Sequence, residues 1–143
     1  MQKQDLVGVW REQGRDIIRA DGTSVADVPR ASQIMYTGDG FMSVVSAPKG
    51  KSSVPETVAR MDLDATTPEA RAEAAAGVTA YAGTFEVVGD DVHHRLFTAL
   101  NPNRVGNVQV GHVTLEEDVL TLTAPKDANG NYFRIQWRRV REE

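Results

Sequence analysis

Residues 80–106, AYAGTFEVVGDDVHHRLFTALNPNRVG, contain the pattern that decides the fold. Two runs rich in β-branched and aromatic residues, 81–88 and 92–100, flank Gly89-Asp90-Asp91, and such a cluster is typical of a hairpin turn. His93 and His94 stand side by side in the second run. Because successive side chains of a strand point to opposite faces, one histidine should face the interior and the other solvent. The stretch therefore predicts a β-hairpin with one inward-facing histidine.

Turn signals of the same kind recur on both sides of this hairpin. They are Asp21-Gly22, Gly38-Asp39-Gly40, Glu116-Glu117-Asp118 and Asn129-Gly130. Strand-like runs lie between them at residues 6–13, 16–19, 32–37, 41–47, 108–115, 119–124 and 132–140, and the first two can form one bent strand. In the last run Phe133, Ile135 and Trp137 alternate with polar residues, which indicates a strand with one buried face. About eight antiparallel strands with short turns predict an all-β protein, either an up-and-down barrel or a sandwich.

One segment breaks the β pattern and predicts a short helix near residues 68–77. Thr67 suits the N-cap, Pro68 the first helical position and Glu69 the positive helix end, while Gly77 ends or loosens the helix. The polar residues 48–66 before it form a long connection, and long loops of this kind are usually lids, binding loops or flexible segments. We expect the helix to plug one end of a barrel, to gate it, or both.

Length and composition favour a single domain over residues 1–143 that buries a core without disulfides, since the chain has no cysteine. The missing cysteines, together with an N-terminus without the apolar region of a signal peptide, suit a cytoplasmic protein. No apolar run approaches the ~20 residues that span a bilayer, so no membrane association is expected. A net charge of -4 with scattered basic residues argues against nucleic acid as a partner.

The first strand-like run carries a family likeness. Gly8-Val9-Trp10 resembles the Gly-x-Trp signature of lipocalins and their relatives. The resemblance implies that Trp10 closes the bottom of a barrel and packs under an arginine from near the chain end. Arg138 and Arg139, beside Trp137, are the candidates for that arginine.

Further motifs are similar to the lipocalin-like domain family of small bacterial and fungal proteins, and they cover nearly the whole chain. They are residues 36–43 (YTGDGFMS), 80–87 (AYAGTFEV), 92–94 (VHH), 101–106 (NPNRVG), 120–123 (LTLT) and 137–140 (WRRV). The resemblance implies a lipocalin-like barrel. The chain departs from the family pattern at two places. The family often carries two adjacent histidines on this strand, and with His94 aligned to the first of them, Arg95 takes the place of the second. An arginine that the family often carries a few residues after the Val-Gly corner is either replaced here by Gly111 or displaced.

A barrel of about eight strands can enclose one small ligand, so polar side chains on inward faces or at corners are candidates for binding it. The candidate ligand-binding residues are Tyr36, Tyr81, His94, Asn101, Arg104, Gln109 and His112. His94 shares a face with Val92, Leu96 and Thr98 if the strand is regular, and His93 should then face outward. A buried histidine that only satisfies its own hydrogen bonds, and turn chemistry at Asn101, are the structural alternatives.

These observations favour binding of a small, largely apolar organic molecule inside the barrel. The alternative is a cofactor-independent enzyme, an isomerase, cyclase or dehydratase of secondary metabolism, in which His94 and Tyr81 exchange protons with the substrate. A third reading is a structural or interaction domain whose barrel is filled by side chains. Nucleophile-elbow, phosphate-loop and dinucleotide motifs are absent and no His-x-His occurs, so we expect no cofactor and no metal. Self-association into a homo-oligomer stays open.

Overall fold

The computed structural model, which describes residues 1–52 and 66–141, is a closed antiparallel β-barrel with an additional strand. Its strands are β1 (Gly8–Ile18), β2 (Ser24–Ala26), β3 (Arg30–Tyr36), β4 (Phe41–Pro48), β5 (Thr79–Val88), β6 (Asp91–Ala99), β7 (Val108–Glu116), β8 (Val119–Thr123) and β9 (Tyr132–Arg139). Its helices are α1 (Lys3–Leu6), α2 (Pro68–Ala75) and a 3₁₀ turn at Pro102–Arg104. The barrel, rather than the sandwich, is therefore the fold.

β1 closes the barrel, because it pairs with β9 on one edge and with other strands on the opposite edge. Its first residues pair with β3, and residues 16–18 pair with the short β2, which is the additional strand. The register against β9 shifts between Glu12 and Gly14, so the strand bends as one continuous element, as predicted. The prediction that the strand begins at Leu6 was wrong, since Leu6 ends α1 and is fully buried.

Trp10 fills the end of the barrel where the chain begins. Its ring is fully buried, and its Nε1 donates a hydrogen bond of 2.9 Å to the carbonyl of Leu6. The guanidinium of Arg139 lies 4.2 Å from the centroid of the Trp10 ring and donates to the backbone carbonyls of Val7 and Asp5. We call this the closed end of the barrel, because the Trp10 ring fills it and the donors of Trp10 and Arg139 are hydrogen-bonded to backbone carbonyls.

Of the two arginines named for this position, Arg139 is the partner of Trp10. Arg138 faces the outside, where its Nε donates to the Gln13 side chain at 3.1 Å. The two residues differ in this way because neighbouring side chains of β9 alternate between the faces of the barrel. Stacking of a guanidinium on an indole contributes about 0.5–2 kcal/mol.

Helix α2 begins as the sequence predicts. The Thr67 side chain accepts a hydrogen bond of 3.2 Å from the backbone N–H of Ala70, with Pro68 in the first turn. The helix gives way to Gly77, whose φ of +73° is a backbone conformation that glycine adopts without strain. Residues 53–65, most of the predicted lid or binding loop, lie outside the described residues, so that role stays a prediction.

A β-bulge in β6 changes which residues face inward beyond Leu96. Gly83 pairs with Leu96, but its neighbour Ala82 pairs with Thr98, so β6 carries one extra residue. A Cβ at Gly83 would lie 1.8 Å from the carbonyl oxygen of Arg95, and only glycine permits this approach of the two strands. The expectation that Thr98 lies on the inward face was therefore wrong. Thr98 is exposed, and Ala99 lines the interior instead.

Candidate functional site

A cavity of about 470 Å³ occupies the opposite end of the barrel, which we call the open end. Most of its wall is apolar, from residues such as Ile34, Val44, Leu122 and Ile135. A second cavity of about 510 Å³ adjoins it on the β7 side. The polar residues common to both are Tyr81, His94, Arg104 and Gln109. Apolar walls with a few converging polar groups are typical of small-molecule sites.

His94 lies between two tyrosines. Its Nε2 is 2.8 Å from the hydroxyl of Tyr36, and its Nδ1 is 3.0 Å from the hydroxyl of Tyr81. β3, β5 and β6 bring the three rings together, because each residue is on the inward face of its own strand. His94 is 4% exposed and Tyr36 2%, whereas Tyr81 is only partly buried and lines both cavities. The three residues form a hydrogen-bonded chain from the core to the cavity wall.

Burial sets the protonation of this chain. It lowers the pKa of His94 to about 4, because the apolar surroundings disfavour the charged imidazolium. It raises the pKa of Tyr81 to about 12, with the nearby positive charge of Arg104 opposing the shift, and it holds the pKa of Tyr36 well above the usual value. All three side chains are therefore neutral at neutral pH, so the imidazole carries a single N–H.

Arg104 stands at the mouth of the cavity, at the end of the 3₁₀ turn. With its amide oxygen turned toward the guanidinium, Gln109 accepts hydrogen bonds from Nε of Arg104 at 2.9 Å and from Nη2. Asn101 was predicted either to bind a ligand or to serve only as a turn residue, and its position has features of both. Its side chain accepts from the backbone N–H of Asn103 at 3.1 Å, and it also lines the larger cavity.

The other two histidines lie away from this site. His112 has its Nδ1 3.2 Å from a carboxylate oxygen of Asp91, with both side chains about half exposed. It belongs to a separate outer groove and does not line either cavity beside His94. His93 is partly buried and precedes His94 on the strand, with its side chain on the other face of β6. Of the three histidines, only His94 reaches the interior cavity.

An ion pair that holds Arg15 in the cavity wall was not predicted from the sequence. Arg15 donates from Nε and Nη2 to the two carboxylate oxygens of Glu12, at 3.0 and 2.6 Å. The Glu12 side chain is only 2% exposed, and the Arg15 guanidinium lies 5.7 Å from the ring centroid of Phe133. The signal for it was Gly14, since a glycine inside a strand often marks a bulge, and this bulge turns Arg15 inward.

Ser46 is a second polar wall residue that sequence reasoning did not identify. It is 3% exposed, and its hydroxyl accepts from Nε of Arg30 at 2.8 Å and from the hydroxyl of Ser32 at 2.7 Å. Burial lowers the pKa of Arg30. Ser32 and Ser46 are direct cross-strand partners, so a matching pair of small polar residues on facing strands was the available signal.

Over residues 1–52 and 66–141, no three His, Cys, Asp or Glu side chains are grouped so that they can hold a metal ion. In the same part of the chain, every helix is too short or too polar to cross a bilayer.

Comparison with known proteins agrees with this geometry. A family model described as the lipocalin-like domain matches residues 7–140. A solved structure with a similar fold is a lipocalin-like protein from Bacteroides uniformis, with 17% sequence identity and a TM-score of 0.50 over 95% of this chain and 99% of that one. A search of curated proteins returned no match. The fold and the family match define a lipocalin-like barrel, and the chain belongs to the lipocalin-like domain family.

Proposed function

We propose that the barrel binds a small, largely apolar organic molecule in the cavity at its open end. The observation that carries the proposal is the cavity of about 470 Å³, apolar over most of its wall and polar at Tyr81, His94 and Arg104. This volume lies within the range of roughly 300–1,000 Å³ that small-molecule pockets occupy. Such an open volume also argues against the reading of a barrel filled by its own side chains.

Blocking the cavity tests the proposal. Ala99 lines the cavity, whereas its neighbour Thr98 faces solvent, so the variants Ala99→Trp and Thr98→Trp place the same ring inside and outside the barrel. Phenylnaphthylamine, an apolar dye that fluoresces in apolar surroundings, is the probe. We expect the protein and Thr98→Trp to bind it and Ala99→Trp to lose most of the binding. Equal binding by all three proteins would place the dye outside the cavity and contradict the proposal.

The natural ligand is sought by native mass spectrometry of protein purified from its own host. A bound small molecule that is present in Thr98→Trp and absent from Ala99→Trp would identify the occupant of the cavity.

A second candidate function uses the same residues for chemistry. The hydrogen-bonded chain of Tyr36, His94 and Tyr81 beside an apolar cavity favours a cofactor-independent isomerase, cyclase or dehydratase. Both imidazole nitrogens face tyrosine hydroxyls, so we assign the contact with substrate to Tyr81 and a supporting role to His94. Apolar walls that exclude water around the substrate would strengthen the hydrogen bond from Tyr81 to an oxygen that gains negative charge.

His94→Gln separates the two candidates. An enzyme would convert a compound of the host metabolite extract, and this variant would still bind the compound but convert it at least tenfold more slowly. A carrier would leave the extract unchanged with either protein, and that result would remove the enzymatic candidate.

A further inference from the structure

The direction of the hydrogen bonds around His94 follows from the burial of Tyr36. The hydroxyl of Tyr36 is in the core, and among residues 1–52 and 66–141 its hydrogen-bond partner is Nε2 of His94. If Nε2 carried the hydrogen, the Tyr36 O–H would have no acceptor in that part of the chain. Because a buried donor without an acceptor is costly, Tyr36 donates to Nε2. The single N–H of the neutral imidazole is then on Nδ1.

This tautomer determines the direction of the hydrogen bond between His94 and Tyr81. The Nδ1–H of His94 donates to the oxygen of Tyr81, so the Tyr81 hydroxyl hydrogen does not point toward the imidazole. Tyr81 lines both cavities, and the free hydrogen therefore points toward the space that a ligand would fill. A buried tyrosine that does not itself line the cavity thus turns Tyr81 into a hydrogen-bond donor for the cavity.

Several other polar side chains of the wall show a similar imbalance between donors and acceptors. The side-chain oxygens of Asn101, Gln109 and Ser46 already accept hydrogen bonds from the chain itself. Arg104 keeps guanidinium hydrogens beyond the two that Gln109 accepts, since this group has five. Arg104 therefore has unused donors, while the side-chain oxygens of Asn101, Gln109 and Ser46 already accept hydrogen bonds within the chain.

We propose that the ligand carries a carbonyl or carboxylate oxygen at one end of an apolar body, and that Tyr81, with Arg104 beside it, binds this oxygen. The proposal rests on the proposed function, since it names the chemical class that the same cavity takes. It assigns Tyr36 as a positioning residue, which acts through His94 without touching the ligand.

Two dyes of similar size test the class of ligand. Prodan is a naphthalene with one ketone oxygen, and phenylnaphthylamine has no oxygen. We expect Tyr81→Phe to weaken the binding of Prodan about tenfold, the value of one hydrogen bond in a dry site, and to leave the binding of phenylnaphthylamine within about twofold. Equal binding of Prodan by both proteins, with phenylnaphthylamine still bound, would overturn this inference and leave the proposed function intact. Binding of neither dye, or binding that Ala99→Trp does not reduce, would contradict both.

The tautomer has a readout that needs no ligand and no variant of Tyr81. In a ¹⁵N NMR spectrum of the imidazole, protonated and unprotonated nitrogens resonate far apart. We expect Nδ1 of His94 to be protonated and Nε2 to be unprotonated, and Tyr36→Phe to shift this population and to weaken Prodan binding several-fold. A protonated Nε2 in the unmodified protein would overturn the assignment of Tyr36, even if Tyr36→Phe failed to fold.

Discussion

The two ends of the barrel hold similar residues in different surroundings. At the closed end Trp10 and Arg139 stack, and their donors bind backbone carbonyls of the first helix and the residue after it. At the open end Tyr81 and Arg104 stand beside open volume, with donors that the described chain does not use up. An aromatic ring with a nearby cation therefore stabilises the fold where its polar groups are satisfied. Under the proposed function, a comparable pair binds a ligand where they are not.

The largest expected effect is at the closed end. Trp10→Ala removes a fully buried ring, and we expect the free energy of unfolding to fall by about 3–5 kcal/mol. Phe97→Ala is the matched control, because Phe97 is 82% exposed and its loss should cost less than about 0.5 kcal/mol. Urea unfolding followed by circular dichroism measures both. Similar losses for the two variants would show that Trp10 does not hold the closed end together.

The pH dependence of the unfolding free energy tests the lowered pKa of His94, which lies between the two ends of the barrel. His94 has a pKa of about 4 in the folded protein and an ordinary value near 6.5 in the unfolded chain, so the unfolded chain binds more protons between these values. The stability that comes from neutral His94 is complete above pH 6.5 and is lost as the pH falls toward 4. We expect the loss to be on the order of 3 kcal/mol.

His94→Gln provides the control for this titration. Carboxylates titrate in both proteins, so the difference between the two curves of unfolding free energy against pH isolates the imidazole. Parallel curves from pH 7 to pH 4 would mean that His94 keeps its ordinary pKa in the folded protein.

Most strands and turns and the helix start could be predicted from the sequence, because they depend on interactions between neighbouring residues. Alternation in β9, turn residues between strands and the Thr67 cap are properties of neighbouring residues. The structure has the turns and the cap, and the alternation of burial in β9 holds from Ile135 to Arg138, whereas Phe133 is 41% exposed. His94 was placed on the inward face by the same alternation, which holds from Val92 to Leu96.

The details that sequence reasoning missed depend on contacts between distant segments. The bulge after Leu96 exists because β6 meets Gly83, so strict alternation wrongly turned Thr98 inward. The inward ion pair of Glu12 and Arg15 depends on another bulge, which forms where β1 pairs with β9. Alternation alone could not decide whether His112 faces the cavity, and its place beside Asp91 on the outside follows from the pairing of β6 with β7. Local patterns thus give the faces of regular strands and fail at bulges.

Arg138 and Arg139 are adjacent in the sequence, and the stability lost on replacing each of them gives a second comparison with a smaller expected effect. Arg139→Ala removes a stacking contact with Trp10 and hydrogen bonds to two backbone carbonyls, so we expect a loss of about 2 kcal/mol of stability. Arg138→Ala removes one exposed hydrogen bond to Gln13 and should cost less than about 0.5 kcal/mol. The ratio of the two losses, from urea unfolding, measures how much the closed end depends on the stacked cation. A larger loss for Arg138→Ala would contradict the pairing of Arg139 with Trp10.

The smallest expected change in stability is at the mouth. Arg104 is exposed and its partner is a glutamine, so Arg104→Gln should alter the free energy of unfolding by no more than about 0.5 kcal/mol. Binding should respond instead, because the guanidinium attracts a carboxylate. We expect naphthoate to bind several-fold more weakly to this variant, and Arg95→Gln, an exposed arginine of β6 that lines neither cavity, to leave both quantities unchanged. If Arg104→Gln destabilised the protein as much as Arg139→Ala, the arginines at the two ends would share a structural role, and the contrast between the ends would be wrong.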